Sequence, residues 1–260
     1  MITNSIDPIL LQIGFLTIRW YGLFLVLGIL SVVLFWKKLF KENKIPQDLS
    51  YDLAMWLVLG GTLGARLGEV FFYEPEWYFS HPIEILFLHH GGLSSHGMAI
   101  GLLLSFAVYT KVKKIAWKKW LDIIIIPMSI LFAFIRLGNY FNSEIVGRIT
   151  NVPWGVYFER IETSVVFRHP SQIYELFLAL GIFGILYFIY RKRVFSLGKL
   201  YYFHIFILLY FSTRFFVEYF KEYKVLETGS FFTIGQWLSL PFITWSVTWL
   251  IKEKLLYKNI

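Results

Sequence analysis

Residues 19–36 read Arg19-Trp20-Tyr21-Gly22-Leu23-Phe24-Leu25-Val26-Leu27-Gly28-Ile29-Leu30-Ser31-Val32-Val33-Leu34-Phe35-Trp36. Only Arg19 is charged, aromatic residues stand at both ends, and Lys37, Lys38, Lys41 and Lys44 follow. A helix needs about 20 mostly apolar residues to cross a bilayer, and Trp and Tyr concentrate at its two interfaces. The run therefore reads as a spanning helix. It lacks a charged segment ahead of it and a small-residue cleavage site after it, so it is expected to be retained rather than removed as a signal peptide.

Working outward, six further runs of the same kind occur near 51–73, 93–109, 121–140, 171–190, 200–220 and 232–251. The stretch 82–88 is too short to span and reads as a surface or re-entrant piece. The whole chain of 260 residues agrees with this: 57% are hydrophobic, 20% aromatic and 16% charged, with a mean hydropathy of +0.60. Soluble domains carry roughly 25% charged residues, and disordered chains have far less apolar content. With Cys 0, disulfides, thiolate metal sites and a cysteine nucleophile of the protein's own are excluded.

The net charge of +8 is a matter of placement. Lys111, Lys113, Lys114, Lys118 and Lys119 follow the third run, and Arg191, Lys192, Arg193 and Lys199 follow the fifth. The tail adds Lys252, Lys254 and Lys258, whereas the alternate segments hold only Arg148, Arg160, Arg168, Lys221 and Lys224. By the positive-inside rule the basic side is cytoplasmic, with anionic lipid headgroups as its partner and no role for nucleic acid. The expectation is an all-α polytopic membrane protein with about seven transmembrane helices, the N-terminus outside and the C-terminus inside. Residues 1–260 form a single membrane domain, with outer loop 141–170 as a small cap.

Ionisable groups inside spans are costly and mark function by default. Here they are Arg66, Glu69, Arg136, Glu175, Arg214 and Glu218, with His96 opening the third run. Given the topology, Tyr21, Arg66, His96, Arg136, His169, Gln172, Glu175, Arg214 and Gln236 all fall in the outer half of the bilayer. A one-sided polar layer suits an enzyme acting on lipid headgroups or exported chains better than a transporter, whose sites lie near the midplane. Plainer readings stand beside this. Arg66 with Glu69 and Arg214 with Glu218 are spaced for local ion pairs. His81, His89, His90 and His204 fit interfacial or packing roles, and zinc held by His89, His90 and His96 lacks an acidic or cysteine partner. Gly60, Gly64 and Gly68 recur every four residues, as in close-packed helix seams.

Four further segments stand out: His89-His90-Gly91-Gly92-Leu93-Ser94-Ser95-His96-Gly97, Arg136-Leu137-Gly138-Asn139-Tyr140-Phe141-Asn142-Ser143-Glu144-Ile145-Val146-Gly147-Arg148, Arg168-His169-Pro170-Ser171-Gln172-Ile173-Tyr174-Glu175 and Arg214-Phe215-Phe216-Val217-Glu218-Tyr219-Phe220. With Trp20-Tyr21-Gly22 they are collinear over nearly the whole chain, and together they resemble the bacterial prolipoprotein diacylglyceryl transferases. The resemblance implies seven spans in the inner membrane, a chamber opening to the outer leaflet beneath a periplasmic cap, and no metal or organic cofactor. The implied reaction moves the diacylglyceryl group of phosphatidylglycerol to the lipobox cysteine of an exported prolipoprotein. A thioether forms and glycerol 1-phosphate leaves.

The family's functional positions fall on Tyr21, His96, Arg136, Asn139, Glu144, Gly147, Tyr210, Arg214 and Glu218. Arg66, His169 and Gln172 join them as candidate substrate-binding residues. Met98 stands where a second glycine is common, Lys221 where many relatives have arginine, and the segment from Gly147 to His169 is short, which leaves substrate selectivity open.

The residue types suit that chemistry. Arginine grips phosphate in a bidentate fork and keeps its proton, so Arg136 and Arg214 would hold the diester and stabilise the departing phosphate. A free thiol has a pKa of about 8.5, and His96 is a base near neutrality; a substrate phosphate oxygen is the other proton acceptor. Asn139 and Glu144 would orient the headgroup or an arginine, and Gly91, Gly92 and Gly97 would allow a backbone turn. A transporter or channel, a different membrane lipid transferase with an arginine-lined outer chamber, and a catalytically silent relative are the competing readings.

Overall fold

The structure, a computed structural model, describes residues 2–14, 16–87, 91–222 and 231–258. The chain packs as two compact units, one of Met1–Phe35 with Leu121–Ile260 and one of Trp36–Trp120. The helices α1 (Trp20–Glu42) and α5 (Trp117–Ile125) run from one into the other.

The first unit opens with short strands that the all-α expectation did not include. They are β1 (Ile2–Asn4), β2 (Ile9–Ile13) and β3 (Leu16–Arg19). β2 and β3 pair antiparallel, with a register shift between Ile9 and Leu11, and Gly14 supplies a φ of +57° beside the turn. Such a stretch of Ile, Leu and Thr fits a strand, but it is too short to announce itself beside the long apolar run that follows. Asn4 donates from Nδ2 to the carbonyl of Tyr140 at 2.8 Å, which ties the first strand to the end of a distant helix.

The predicted fourth span, 121–140, is not one rod. α5 is followed by α6 (Met128–Phe141), and the two are bent by 42° at Ile126-Pro127. Proline has no N–H for the helical ladder and clashes with the preceding turn. In the second unit α2 (Leu49–Gly68) continues through a π-helical turn at Glu69–Tyr73, then α3 (Pro75–Ser80), a 3₁₀ turn at Pro82–Leu86 and α4 (Ser95–Val112). Of the stretch 82–88, read as a surface or re-entrant piece, the described residues form that single 3₁₀ turn and Phe87 after it.

The first unit is completed by β4 (Val156–Phe158), α7 (Ser171–Arg191), α8 (Tyr201–Val217) with a 3₁₀ turn at Glu218–Phe220, and α9 (Ile234–Lys258). Among the described residues, four helical segments are long and apolar enough to cross a membrane, and the bent α5–α6 pair would make a fifth. α4 and α9 occupy the third and seventh predicted runs, but His96, Lys111, Gln236 and Pro241 interrupt their apolar character. The protein is a mostly helical membrane protein.

Three devices fix the helices. A Cβ on Gly64 would lie 2.7 Å from the Cα of Gly101, and one on Gly68 would lie 2.7 Å from the Cα of Gly97. The recurring glycines therefore press α2 against α4, backbone to backbone, as small residues do in membrane seams. Gly97 belongs to this seam inside α4; the turn expected there is made by Gly91 and Gly92, at φ +88° and +69°. At the start of α8, where Leu200 takes a left-handed φ of +62°, the buried carboxylate of Asp122 accepts from the backbone N–H groups of Gly198 and Leu200 at 2.8 Å and of Phe203 at 3.3 Å. A cap supplied from α5 thus satisfies donors the helix itself leaves open. Between α8 and α9, His204 stacks on Trp249 at 4.1 Å and Phe211 on Phe242 at 4.3 Å. His204, 2% exposed, is a packing residue.

Candidate active site

The first unit gathers its charges where the C-terminal parts of α6 and α8, with the turns that follow them, meet the N-terminal part of α7. Arg136 projects from α6, and its Nε lies 3.0 Å from Oε2 of Glu175 on α7. The other oxygen of Glu175 accepts from Nζ of Lys221 at 2.9 Å. Lys221 also lies 3.8 Å from Oε2 of Glu218. Nη1 of Arg136 donates to Oδ1 of Asn139 at 3.2 Å, one turn later. The amide nitrogen of Asn139 then donates to Glu144 at 3.2 Å, and Asn142 donates to the second Glu144 oxygen at the same distance. Asn139 is therefore a relay that orients Arg136 while reading the carboxylate of Glu144.

Arg214 differs from Arg136. It lines the same cavity, with Tyr210, Thr213, Glu175 and Phe132 around it, yet it makes no hydrogen bond or ion pair with a described residue. The local pair with Glu218 allowed by spacing is not what α8 builds. The carboxylate of Glu218 turns toward Lys221 and the first turn of α9, where a Cβ on Gly235 would lie 2.7 Å from its Cδ. That helix start is organised by Thr233 and Gln236, each backbone N–H donating to the other's side chain at 3.1 Å, a reciprocal cap. An anion beside a helix N-terminus is favoured by the helix dipole. A half-buried guanidinium with free donors, beside a second one, is a receptor for an anion.

Tyr21, in the first turn of α1, packs its ring on Gly138, where a Cβ would come within 2.9 Å of it. Tyr210 stacks on Phe206 at 5.8 Å and meets Phe132 at 5.1 Å.

Between Phe141 and Ser171 the chain forms β4 and isolated bridges from Gly147 to Lys221 and from Arg168 to Ile149 and Val156. β1 runs parallel to β4, and Val146, Val156 and Phe158 form a core against Tyr140. Gly147 donates its N–H to the carbonyl of His169 at 3.0 Å and pairs with Lys221. A Cβ there would overlap the carbonyls of both His169 and Phe220, so only glycine fits. Arg168 holds Glu162 and the Gly147 carbonyl (3.2 Å) within this segment and reaches Glu222 (2.8 Å) after α8. Burial pulls its guanidinium pKa down, but the two carboxylates outweigh burial and raise it.

His169 and Gln172 serve this framework. His169 bonds Tyr174 through Nδ1 at 3.0 Å; burial, then Arg148, holds its imidazole below the ordinary 6.5. Gln172 is fully buried and donates to the backbone carbonyl of Glu144 at 2.6 Å, leaving its own Oε1 without a protein partner. Lys221 is pulled below the usual lysine range by burial, with Arg136 adding to it and Glu175 opposing.

The second unit treats its candidates differently. His96 is exposed in the first turn of α4, and its Nδ1 is 2.9 Å from the hydroxyl of Tyr73. Ser94 caps that helix by accepting from Gly97 N–H at 3.1 Å. Arg66 is 3% exposed. It donates to the carbonyls of Glu84, Ile85, Phe87, Gly91 and Gly92 and to the Tyr78 hydroxyl. Six acceptors occupy its five N–H groups, so none is left for a lipid phosphate. Here Arg66 departs from the substrate-binding expectation: it holds the loop that follows α3 and has no ion pair with Glu69. His89 and His90 lie outside the described residues.

Three contributors were not assigned from sequence: Tyr73, Glu175 and Lys221. Glu175 stood out as a charge inside a span, and Lys221 as a lysine where many relatives have arginine. Tyr73 gave no signal, because its partner His96 lies 23 positions along the chain.

A family-level description of the prolipoprotein diacylglyceryl transferases matches residues 8–252. A Tolumonas auensis protein named phosphatidylglycerol–prolipoprotein diacylglyceryl transferase is 38% identical over 245 residues, 94% of each chain. One of the same name from Chloroherpeton thalassium is 38% identical over 248 residues, 91% of this chain and 88% of that one. A Bacteroides fragilis counterpart is 33% identical over 250 residues, 91% of this chain and 90% of its own. Matched along almost its full length, this chain belongs to the prolipoprotein diacylglyceryl transferase family.

Proposed function

We propose that this chain transfers the diacylglyceryl group of phosphatidylglycerol to the lipobox cysteine of exported prolipoproteins. Sulfur attacks the glyceryl carbon that carries the phosphodiester. A C–S bond forms, the C–O bond to phosphorus breaks, and glycerol 1-phosphate departs with the electron pair. The observation that carries this reading is Arg214, a guanidinium without a described protein partner, in one cavity with Arg136.

Arg214 grips the diester through a bidentate fork, and Arg136, aimed by Asn139, takes up charge growing on the departing oxygens. Tyr21 and Glu144 border the headgroup, and Tyr210 supplies an apolar wall. Glu218 sets the start of α9, Gly147 holds the cap closed, and His169 and Gln172 fix the cap's backbone. His96 is assigned as acceptor of the thiol proton on residue type, imidazole being the side chain that most often serves as a general base.

The proposed setting is the bacterial inner membrane. Seven spans place the N-terminus outside and the C-terminus inside, with the site facing the outer leaflet beneath a periplasmic cap. The alternating charge of the connecting segments supports that orientation.

The test is direct. Purified protein is incubated with phosphatidylglycerol and a lipobox peptide, and the peptide is weighed. A mass gain of one diacylglyceryl group, matched by release of glycerol phosphate, is expected; an unmodified peptide would overturn the reading.

A further inference from the structure

Glu175 sits between two cations and is not needed to hold a helix together. Its side chain is 11% exposed, and its two oxygens face Arg136 at 3.0 Å and Lys221 at 2.9 Å. Lys221 has Glu218 as a second anion at 3.8 Å. Arg136 spends a further donor on Asn139, which is itself tied to Glu144. Of the three cations contributed by α6, α8 and the turn after α8, two are engaged by carboxylates, and Arg214 is unengaged among the described residues. The cavity therefore offers one uncompensated positive charge.

That number matters if the proposed reaction is right, because the two phosphates involved differ in charge. The lipid diester carries a single negative charge over the whole working range. The released glycerol phosphate is a monoester whose second ionisation lies near pH ~6, so at neutrality it approaches two negative charges. Three free cations would hold this product more tightly than the substrate and slow its release.

We propose that Glu175 is a positioning residue that restricts the site to monoanion recognition: together with Glu218 it offsets the charges of Arg136 and Lys221, so that the dianionic product is not retained. This rests on the function proposed above and deepens it. Glu175 acts through the two cations and does not touch substrate.

The experiment is calorimetric binding of glycerol 1-phosphate to the detergent-solubilised full chain, which requires no turnover. For the unaltered protein the dissociation constant should stay within about twofold between pH 5.5 and 7.5, across the ligand's second ionisation. Affinity that rises fivefold or more with pH over that window would overturn the proposal. Glu175→Gln keeps the shape and removes the charge, and it should bind glycerol 1-phosphate about tenfold more tightly at pH 7.5. Unchanged or weaker binding by a folded Glu175→Gln protein would also overturn it.

The double variant Glu175→Gln/Lys221→Met should return to the unaltered affinity, and a double variant that stays tight would refute the part given to Lys221. If Glu175→Gln does not fold, the pH comparison on the unaltered protein still decides. Absence of peptide modification with these binding results intact would count against the proposed reaction and not against the role of Glu175.

Discussion

Arg136 and Arg214 line one cavity but are treated differently by the chain: Arg136 is held by Glu175 and Asn139, whereas Arg214 has no described protein partner. An arginine that the fold leaves unpaired while surrounding it with Tyr210, Thr213 and Phe132 has its donors available for a ligand. Arg214→Ala should keep its thermal midpoint and lose transfer by about 10²–10³-fold, the usual effect of removing one donor to a developing oxyanion. Arg214→Lys keeps the charge without the fork and should recover only part of the rate. Normal turnover by Arg214→Ala in the lipobox peptide assay would remove it from the site.

The Tyr73–His96 contact predicts a graded pair of effects. His96→Gln should slow the chemical step by about 10²–10⁴-fold, the range of a lost general base, with lipid affinity little changed. Tyr73→Phe removes a hydrogen bond worth about 0.5–1.5 kcal/mol and should cost no more than about tenfold. Single-turnover rates at saturating lipid measure both. Transfer at the normal rate by His96→Gln would assign the thiol proton to a phosphate oxygen instead.

Gly147 is wedged between two carbonyls, so its replacement is a packing experiment. Gly147→Ala should destabilise the cap by about 1–3 kcal/mol or more, the range for forced overpacking, and lower activity through loss of order. Gly181, with nothing within 4 Å of an added Cβ, is the matched control. Equal thermal midpoints for Gly147→Ala and Gly181→Ala would contradict the geometry.

His169 gives a pH dependence with a definite sign. Burial, with help from Arg148, depresses its folded pKa below 6.5, so the unfolded chain takes up a proton that the folded chain refuses. Stability from this group is complete above about pH 6.5 and is lost as pH falls through the lower folded value. The thermal midpoint should therefore drop between pH 7 and 5, and His169→Gln should flatten that drop. An unchanged slope in the variant would place the acid sensitivity elsewhere.

Much of this architecture is legible in order because its causes are local. The apolar runs, the alternating lysine clusters after α1 and α4, and the glycine spacing of α2 all act within one or two turns. Pro127 was in view too, yet a proline inside an apolar run is compatible with a straight, kinked or broken helix, and only packing selects among them. Arg66 shows the other limit: its carbonyl partners lie 18–26 residues away in sequence and Tyr78 lies 12 away, so spacing proposed Glu69 and the fold chose these instead. The identity of the cluster residues was legible from motifs, but which cation would be left unpaired was not. That depends on Lys221 reaching Glu175 across 46 positions.

The pairing of Ile2–Asn4 with Val156–Phe158 has a consequence for biogenesis. Its second strand is polymerised only after about 150 further residues have followed the first. At about 5–20 residues per second, that interval is on the order of ten seconds, during which α1 to α6 are synthesised. The β1–β4 pairing therefore forms only after α1 to α6 have been made, and nascent chains arrested before Val156 would carry Arg136 while β1 still lacks its partner.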